Sequence, residues 1–272
     1  MTHAASQPTH RVALAIGAHP DDIEFMMAGT LLLLKEAGAD IHMWNLANGY
    51  CGTAVHSREE ITRLRWEEAR AAAAVAGATI YPPIADDLAL LYEVPLIQRI
   101  AAVVREVKPA IILLPSPQDY MEDHQNACRL AVTAAFARGM RTFETIPPTA
   151  TWEGETVLYH ALPYGLRDGM RRLIHAGQFV DISSVLAKKR EMLAQHRTQK
   201  EWLDVSQGLD AYLTTMETMS QQVGEQSGRF AYAEGWRRHS HLGFAAEDAD
   251  PLREWLMAKC WTDPDYERSL DL

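Results

Sequence analysis

From Arg11 to about Arg138, short apolar stretches alternate four times with longer stretches of helical period, and this rhythm constrains the fold more than any other feature. The expected strands are Arg11 to Ala18, Asp40 to Asn48, Thr79 to Pro82 and Ala110 to Pro115. The expected helices are Met26 to Ala37, an Ala-rich one ending near Gly77, Val94 to Lys108, and one that Asp123 opens and that reaches about Arg138. Ser57 followed by Glu60 has the spacing of a capping box at the start of the Ala-rich helix. Parallel strands need crossover connections, so the pattern predicts an α/β fold: a Rossmann-like, mostly parallel sheet with helices on both faces. After about Phe143 the rhythm breaks into strands at Thr156 to Leu162 and Gln178 to Ile182 and helices at Ser184 to Gln199 and about Leu209 to Gln222. This reads as a C-terminal α+β elaboration that completes the sheet edge and a pocket wall. A chain of 272 residues then forms one domain over 11–272, with halves 11–143 and 144–272, behind a short flexible lead-in at Met1 to His10.

Composition narrows the function by exclusion. Hydrophobic residues make up 47% and charged residues 23%, an ordinary globular balance. No apolar run approaches the roughly 20 residues that span a bilayer, and the first ten residues lack the pattern of a signal peptide. The expected location is therefore the cytoplasm, with no membrane partner. Three widely spaced cysteines, Cys51, Cys128 and Cys260, read as free thiols. A formal charge of −10, with no basic stripe, repels a phosphate backbone and argues against nucleic acid.

The turn after the first strand is Gly17-Ala18-His19-Pro20-Asp21-Asp22, at the strand's C-terminal end, where a parallel sheet opens its ligand crevice. It lacks the glycines of a dinucleotide fingerprint and the Gly-Lys-Ser/Thr of a phosphate loop. It offers one imidazole and two carboxylates instead. The turn after the fourth strand holds Asp119-Tyr120-Met121-Glu122-Asp123-His124. First and fourth strands are commonly neighbours in doubly wound sheets, so His19, Asp22 and His124 are expected to converge as three ligands of a catalytic zinc with one position open. Taken singly, the first turn also reads as a helix N-terminus with acidic residues complementing its dipole, and His124 as a first-turn surface residue.

Ala18-His19-Pro20-Asp21-Asp22 with the later Asp123-His124 resembles the PIG-L/LmbE-like family of zinc-dependent N-deacetylases. The resemblance continues through Asn48-Gly49 with Gly52, Arg65 with Glu68, His196-Arg197-Thr198-Gln199 and Ala233-Glu234-Gly235-Trp236-Arg237, and so covers most of the chain. It implies one Zn2+ per chain on His19, Asp22 and His124, and Asp21 as the general base. It also implies a small N-acylated substrate, an amino sugar or glycoconjugate. Arg65 matches a substrate-contacting position, and Asp86 or Asp87 lies where an acidic group would hold a sugar hydroxyl. Against these stand a solvated helix face for Arg65 and a loop-shaping role for Asp87. Asp123 is either a helix N-cap or a partner standing behind a ligand, or both, and His196 either orients a neighbour in the pocket wall or is a hydrogen-bonded structural residue.

Two departures matter. The family's second motif is His-Pro-Asp-His where this chain has Met121-Glu122-Asp123-His124, and the acidic residue after the Asn-Gly turn is Tyr50 here. A thioether cannot donate a hydrogen bond, so Tyr120 or His160 is expected to meet the developing oxyanion in place of the missing histidine. In the implied chemistry zinc activates water, and Asp21 takes its proton and returns it to the departing nitrogen. The competing readings are an amidase acting on a thiol conjugate or another acyl-amine, and a sugar-binding relative without turnover. Homo-oligomerisation is left open. Cys128, four residues after His124, reads as a helix-packing thiol.

Overall fold

The computed structural model describes residues 11–201 and 211–271, so the expected lead-in at Met1 to His10 and helix start at Leu209 lie outside the described residues. The first half follows the alternation: β1 (Val12–Gly17), α1 (Asp22–Met26), α2 (Ala28–Glu36), β2 (Asp40–Asn45), α3 (Arg58–Ala76), β3 (Thr79–Tyr81), α4 (Val94–Val107), β4 (Ile111–Leu114) and α5 (Glu122–Phe136). The second half adds β5 (Val157–Ala161), β6 (Gln178–Asp181), α6 (Leu186–Leu193), α7 (Ala211–Ser227), β7 (Ala233–Arg238), α8 (Pro251–Leu256), β8 (Cys260–Thr262) and α9 (Pro264–Ser269).

One eight-stranded sheet runs β3-β2-β1-β4-β5-β7-β6-β8. Strands β3 through β5 are parallel, whereas β7 pairs antiparallel with β5 and β6, and β8 antiparallel with β6. The expected α/β class with a C-terminal elaboration is the one observed. β1 is buried along its whole length because both faces are covered. Ala13 and Ala15 pack against α2 and α3, where Leu31, Leu33, Ala72 and Ala76 lie. Leu14 and Ile16 pack on the other face, against Ile97, Ile100, Leu130 and Ala134 of α4 and α5.

Several expected boundaries change for local reasons. The Met26 to Ala37 helix is two helices, broken where Met27 leaves helical geometry at φ −135° and ψ −21°. The expected Ser184 to Gln199 helix is regular only over α6, turns at Ala194 and Gln195, and resumes at Arg197. Asp123 is not the N-cap of α5: Met121 occupies that position in extended geometry, and the helix starts at Glu122. Only half of the expected capping box is present, since Ser57 accepts from the Glu60 amide while the Glu60 carboxylate pairs with His56. β7 and β8 were not expected as strands. β7 carries the Ala-Glu-Gly-Trp-Arg segment, whose Glu234 accepts from the Gly29 and Thr30 amides at 2.8 and 2.7 Å and so caps α2 from across the core. Lys189 of α6 completes that buried carboxylate's shell at 2.7 Å. Among the described residues no helix is long and apolar enough to cross a membrane.

Candidate metal centre and its cleft

β1 and β4 pair directly, so the turns that follow them face one another. Asp22 opens α1, and its Oδ2 accepts from the Ala18 and His19 amides at 2.9 and 2.7 Å. Folding the turn onto that oxygen leaves Oδ1 aimed across the crevice, 3.4 Å from His124 Nε2. His19, Asp22 and His124 each offer one ligand atom, and these atoms lie within 4.8 Å of one another. The convergence expected from the two turns is thus present.

The outer nitrogens show how the rings are held. His19 Nε2 meets Asp123 Oδ2 at 3.0 Å, and His124 Nδ1 meets Asp119 Oδ1 at 3.0 Å. A carboxylate on the far nitrogen places the ring proton there and turns the near nitrogen's lone pair inward, the arrangement of carboxylate-backed metal histidines. Asp123 thus backs His19, one of the candidate ligands, and Asp119 does the same for His124. Sequence reasoning quoted Asp119 without a role; its signal was an acidic residue one turn before a ligand-type histidine. Two imidazoles and a carboxylate, each imidazole backed in this way, suit a cation such as zinc. The electrostatics agree. Burial alone would lower the His124 pKa, yet Asp22 and Asp119 beside it push it up to about 11. Burial likewise opposes His19, which Asp123 and Asp22 nevertheless raise. The crevice carries negative charge that asks for a positive one.

Asp21 lies beside this set and outside it. Its backbone sits at φ 103°, a left-handed conformation rare for a side-chain-bearing residue and typical of functional sites. Tyr212 of α7 donates to Asp21 Oδ2 at 2.7 Å, and Arg65 Nη2 stands 3.5 Å from Oδ1. Burial raises the Asp21 pKa, Arg65 opposes the rise, and the Asp22 charge adds to it. Tyr212 carried no signal in the sequence.

Arg65 is buried on α3, so the solvated-face reading fails. Its guanidinium donates to the Pro20 and Gly49 carbonyls, clamping the His-Pro-Asp-Asp turn to the Asn-Gly turn. Gly49 has φ +77°, and a Cβ there would come within 2.7 Å of that guanidinium; at Gly52 it would also collide with Arg65. Asp87 spends both oxygens on the Gly49 and Cys51 amides, at 2.6 and 2.8 Å, and shapes the same loop. His196 is fully buried, 3.3 Å from the equally buried Glu24, and does not line the cleft.

Tyr120 lies on the cleft lip, its ring edge-on to His124 at 5.8 Å between centroids. His160 sits elsewhere. It is buried on β5 outside the cleft lining, with Nδ1 toward the Pro115 carbonyl at 3.2 Å and Cys128 Sγ at 3.4 Å, and Nε2 toward His239 at 2.9 Å. Cys128 is buried in helix packing.

A model of the PIG-L family, described as GlcNAc-PI de-N-acetylase, matches residues 14–136, the part of the chain that contains both turns. The chain is 29% identical over 230 residues to the diacetylchitobiose deacetylase of Thermococcus kodakarensis, covering 82% of this chain and 81% of that one. It is 32% identical over 162 residues to the 4-oxalmesaconate hydratase of Pseudomonas putida, covering 52% of this chain and 60% of the relative. The fold matches that of the N,N'-diacetylchitobiose deacetylase from Pyrococcus horikoshii with a TM-score of 0.71 at 22% identity, over 90% of this chain and 89% of that one. The resemblance carried by the two acidic turns is borne out: the PIG-L family model spans both turns, and deacetylases stand among the relatives and the solved structures that this chain is similar to.

Proposed function

We propose that this chain is a zinc-dependent hydrolase that removes the acyl group from the nitrogen of a small N-acylated substrate, an amino sugar or glycoconjugate, in the cytoplasm. The observation that carries the proposal is the pairing of a three-ligand cluster with a separate, anchored carboxylate: His19, Asp22 and His124 converge, and Asp21 stands next to them bound by Tyr212 and Arg65. A site built only to hold a cation has no use for that second carboxylate. His19, Asp22 and His124 would hold the metal, which when bound polarises a carbonyl and lowers the pKa of water toward about 7.

The chain's own residues supply the rest. Asp21 takes a proton from the attacking water and hands it to the departing nitrogen, a task suited to a carboxyl whose pKa burial has raised. Tyr212 and Arg65 fix the direction of its oxygens. In this reading Tyr120 meets the oxyanion, which its position in the cleft beside His124 supports, as does the fact that both ring nitrogens of His160 face other partners.

A second reading comes from the hydratase relative, in which a similar site would add water to a carbon–carbon double bond. The cleft offers a carboxylate-rich substrate few free cations: among the described residues Arg65 is the only arginine or lysine lining it, and its guanidinium is committed to two carbonyls and Asp21. The test is acetate release from N-acetylated amino sugars by the zinc-loaded chain, with chelator and Asp21→Asn controls. Zinc-dependent release that falls roughly a hundredfold or more in Asp21→Asn, at full metal content, is the expected result. Hydration of an unsaturated acid without any amide cleavage would overturn the proposal in favour of the second reading.

A further inference from the structure

We propose that the cleft accepts an amide flanked by an apolar, ring-bearing group in preference to a free N-acetylated sugar; this rests on the amide-hydrolase reading and specifies its substrate. The reaction is unchanged. Water's oxygen bonds to the carbonyl carbon, the C–N bond breaks, and water's two protons end on the departing nitrogen, leaving an ammonium and a carboxylate.

The observation is an unbroken arc of rings along one wall of a cleft of about 430 Å³. Tyr212, which holds Asp21, packs edge-on to Phe25 at 5.0 Å between centroids, and Phe25 packs edge-on to Tyr164 at 5.4 Å. Tyr164 meets Tyr120 at 6.3 Å, and Tyr120 meets His124 at 5.8 Å. The arc thus runs from the proposed base to a proposed metal ligand, so any substrate whose amide lies between them rests its neighbouring atoms on aromatic surface. Met26, Met121 and Leu162 add apolar side chains to the lining. At the mouth Leu88 is 72% exposed and Tyr120 52%, which carries the apolar surface out to solvent.

A sugar ring can lie on an aromatic face, but its hydroxyls still need partners. The polar groups of this lining are largely spent on the protein. Both oxygens of Asp87 are taken by backbone amides, and Asp119 Oδ1 is taken by His124 and the Met121 amide. Ser116 Oγ accepts from Arg237 and donates to the Gln118 carbonyl. Among the buried side-chain atoms of the lining, Gln199 Oε1 and Arg65 Nε are without a partner among the described residues. A sugar hydroxyl laid against the ring surface without a partner weakens binding by about tenfold or more. An aryl group has no such demand, and burying one strengthens binding by about tenfold to a hundredfold.

The experiment compares three amides on the zinc-loaded, full-length chain: N-acetylglucosamine, N-benzoylglucosamine with the ring on the acyl side, and N-acetylbenzylamine with the ring on the amine side. The expected result is a kcat/KM at least about tenfold higher for one of the aryl amides, and the better one shows which side of the bond meets the arc. Tyr164→Ala should reduce that ratio toward one. A kcat/KM for N-acetylglucosamine equal to or above both aryl amides overturns the inference. Calorimetric titration of zinc-loaded Asp21→Asn with the same three compounds separates this failure from that of the hydrolase reading. If no amide is cleaved but an aryl compound binds more tightly, the apolar assignment holds and the hydrolase reading fails; equal binding of all three overturns the assignment.

Discussion

Asp21 holds a strained backbone conformation at φ 103°, and a 2.7 Å hydrogen bond from Tyr212 keeps its carboxylate in place. Removing that hydroxyl leaves the ring packed on Phe25 but frees one carboxylate oxygen, and a hydrogen bond to a charged group is worth about 1.5–3 kcal/mol. Tyr212→Phe should therefore lower kcat by roughly tenfold to a hundredfold while zinc content and KM stay close to wild type. An unchanged kcat would show that Arg65 alone positions the proposed base. A second residue-scale prediction concerns His160, which burial and then the neighbouring His239 push down to about 3. The unfolded imidazole titrates near 6.5, so between about pH 6.5 and 3 the unfolded chain binds a proton that the folded chain refuses. Stability is then lost as the pH falls through that window, and the melting temperature of His160→Gln should fall less between pH 7 and 5 than that of wild type. Equal slopes for the two proteins would rule out His160 as a source of the loss. These two residues mark where sequence reading stops. The His19, Asp22 and His124 cluster was legible because ligand-type residues sat in two turns that topology joins. Tyr212 was not, because its link to Asp21 spans 191 residues, and a tyrosine on a helix reads as core until its hydroxyl is placed.

Among the elements, the parallel half was legible because strands covered on both faces are apolar throughout and the intervening helices carry their own period and caps. β7 was hidden because it contains Glu234, Gly235 and two arginines and so lacks a strand's apolar alternation. Its glutamate is polar for a structural reason. α2 begins at Ala28 with no side-chain cap from its own N-cap residue, Met27, and Glu234 satisfies the Gly29 and Thr30 amides instead. Trp236 donates to the Thr30 hydroxyl at 3.0 Å, so two residues of one strand fasten one helix end. Replacing Glu234 with Gln would keep the shape but strand the Lys189 ammonium, which is fully buried 2.7 Å from the carboxylate. Breaking a buried pair by removing one charge costs about 3–5 kcal/mol, so Glu234→Gln should shift the urea midpoint downward by that amount of stability. A loss below about 1 kcal/mol would show that the pair is not what secures α2.

At the scale of the whole molecule, the candidate centre is where distant parts of the chain meet. The turn after β1 supplies His19 and leads to Asp22, the turn after β4 leads to His124, and α7 from the second half reaches Asp21 through Tyr212. In the unfolded chain His19 and His124 are 105 positions apart, and a cation held by both binds the folded form alone. Binding only the folded state stabilises it by about 4 kcal/mol when free ligand is a thousandfold above its dissociation constant. The clustered carboxylates make the effect larger in the other direction: without a cation, Asp22, Asp119 and Asp123 face one another around two histidines that must take up protons to offset them. Zinc should therefore raise the melting temperature by several degrees, and chelation should reverse the gain. His124→Ala should melt at one temperature with or without zinc, because it keeps the fold's core but loses a ligand. If the wild-type melting curve ignored both zinc and chelator while the protein stayed folded, the three side chains would be a hydrogen-bonded polar cluster and not a metal centre.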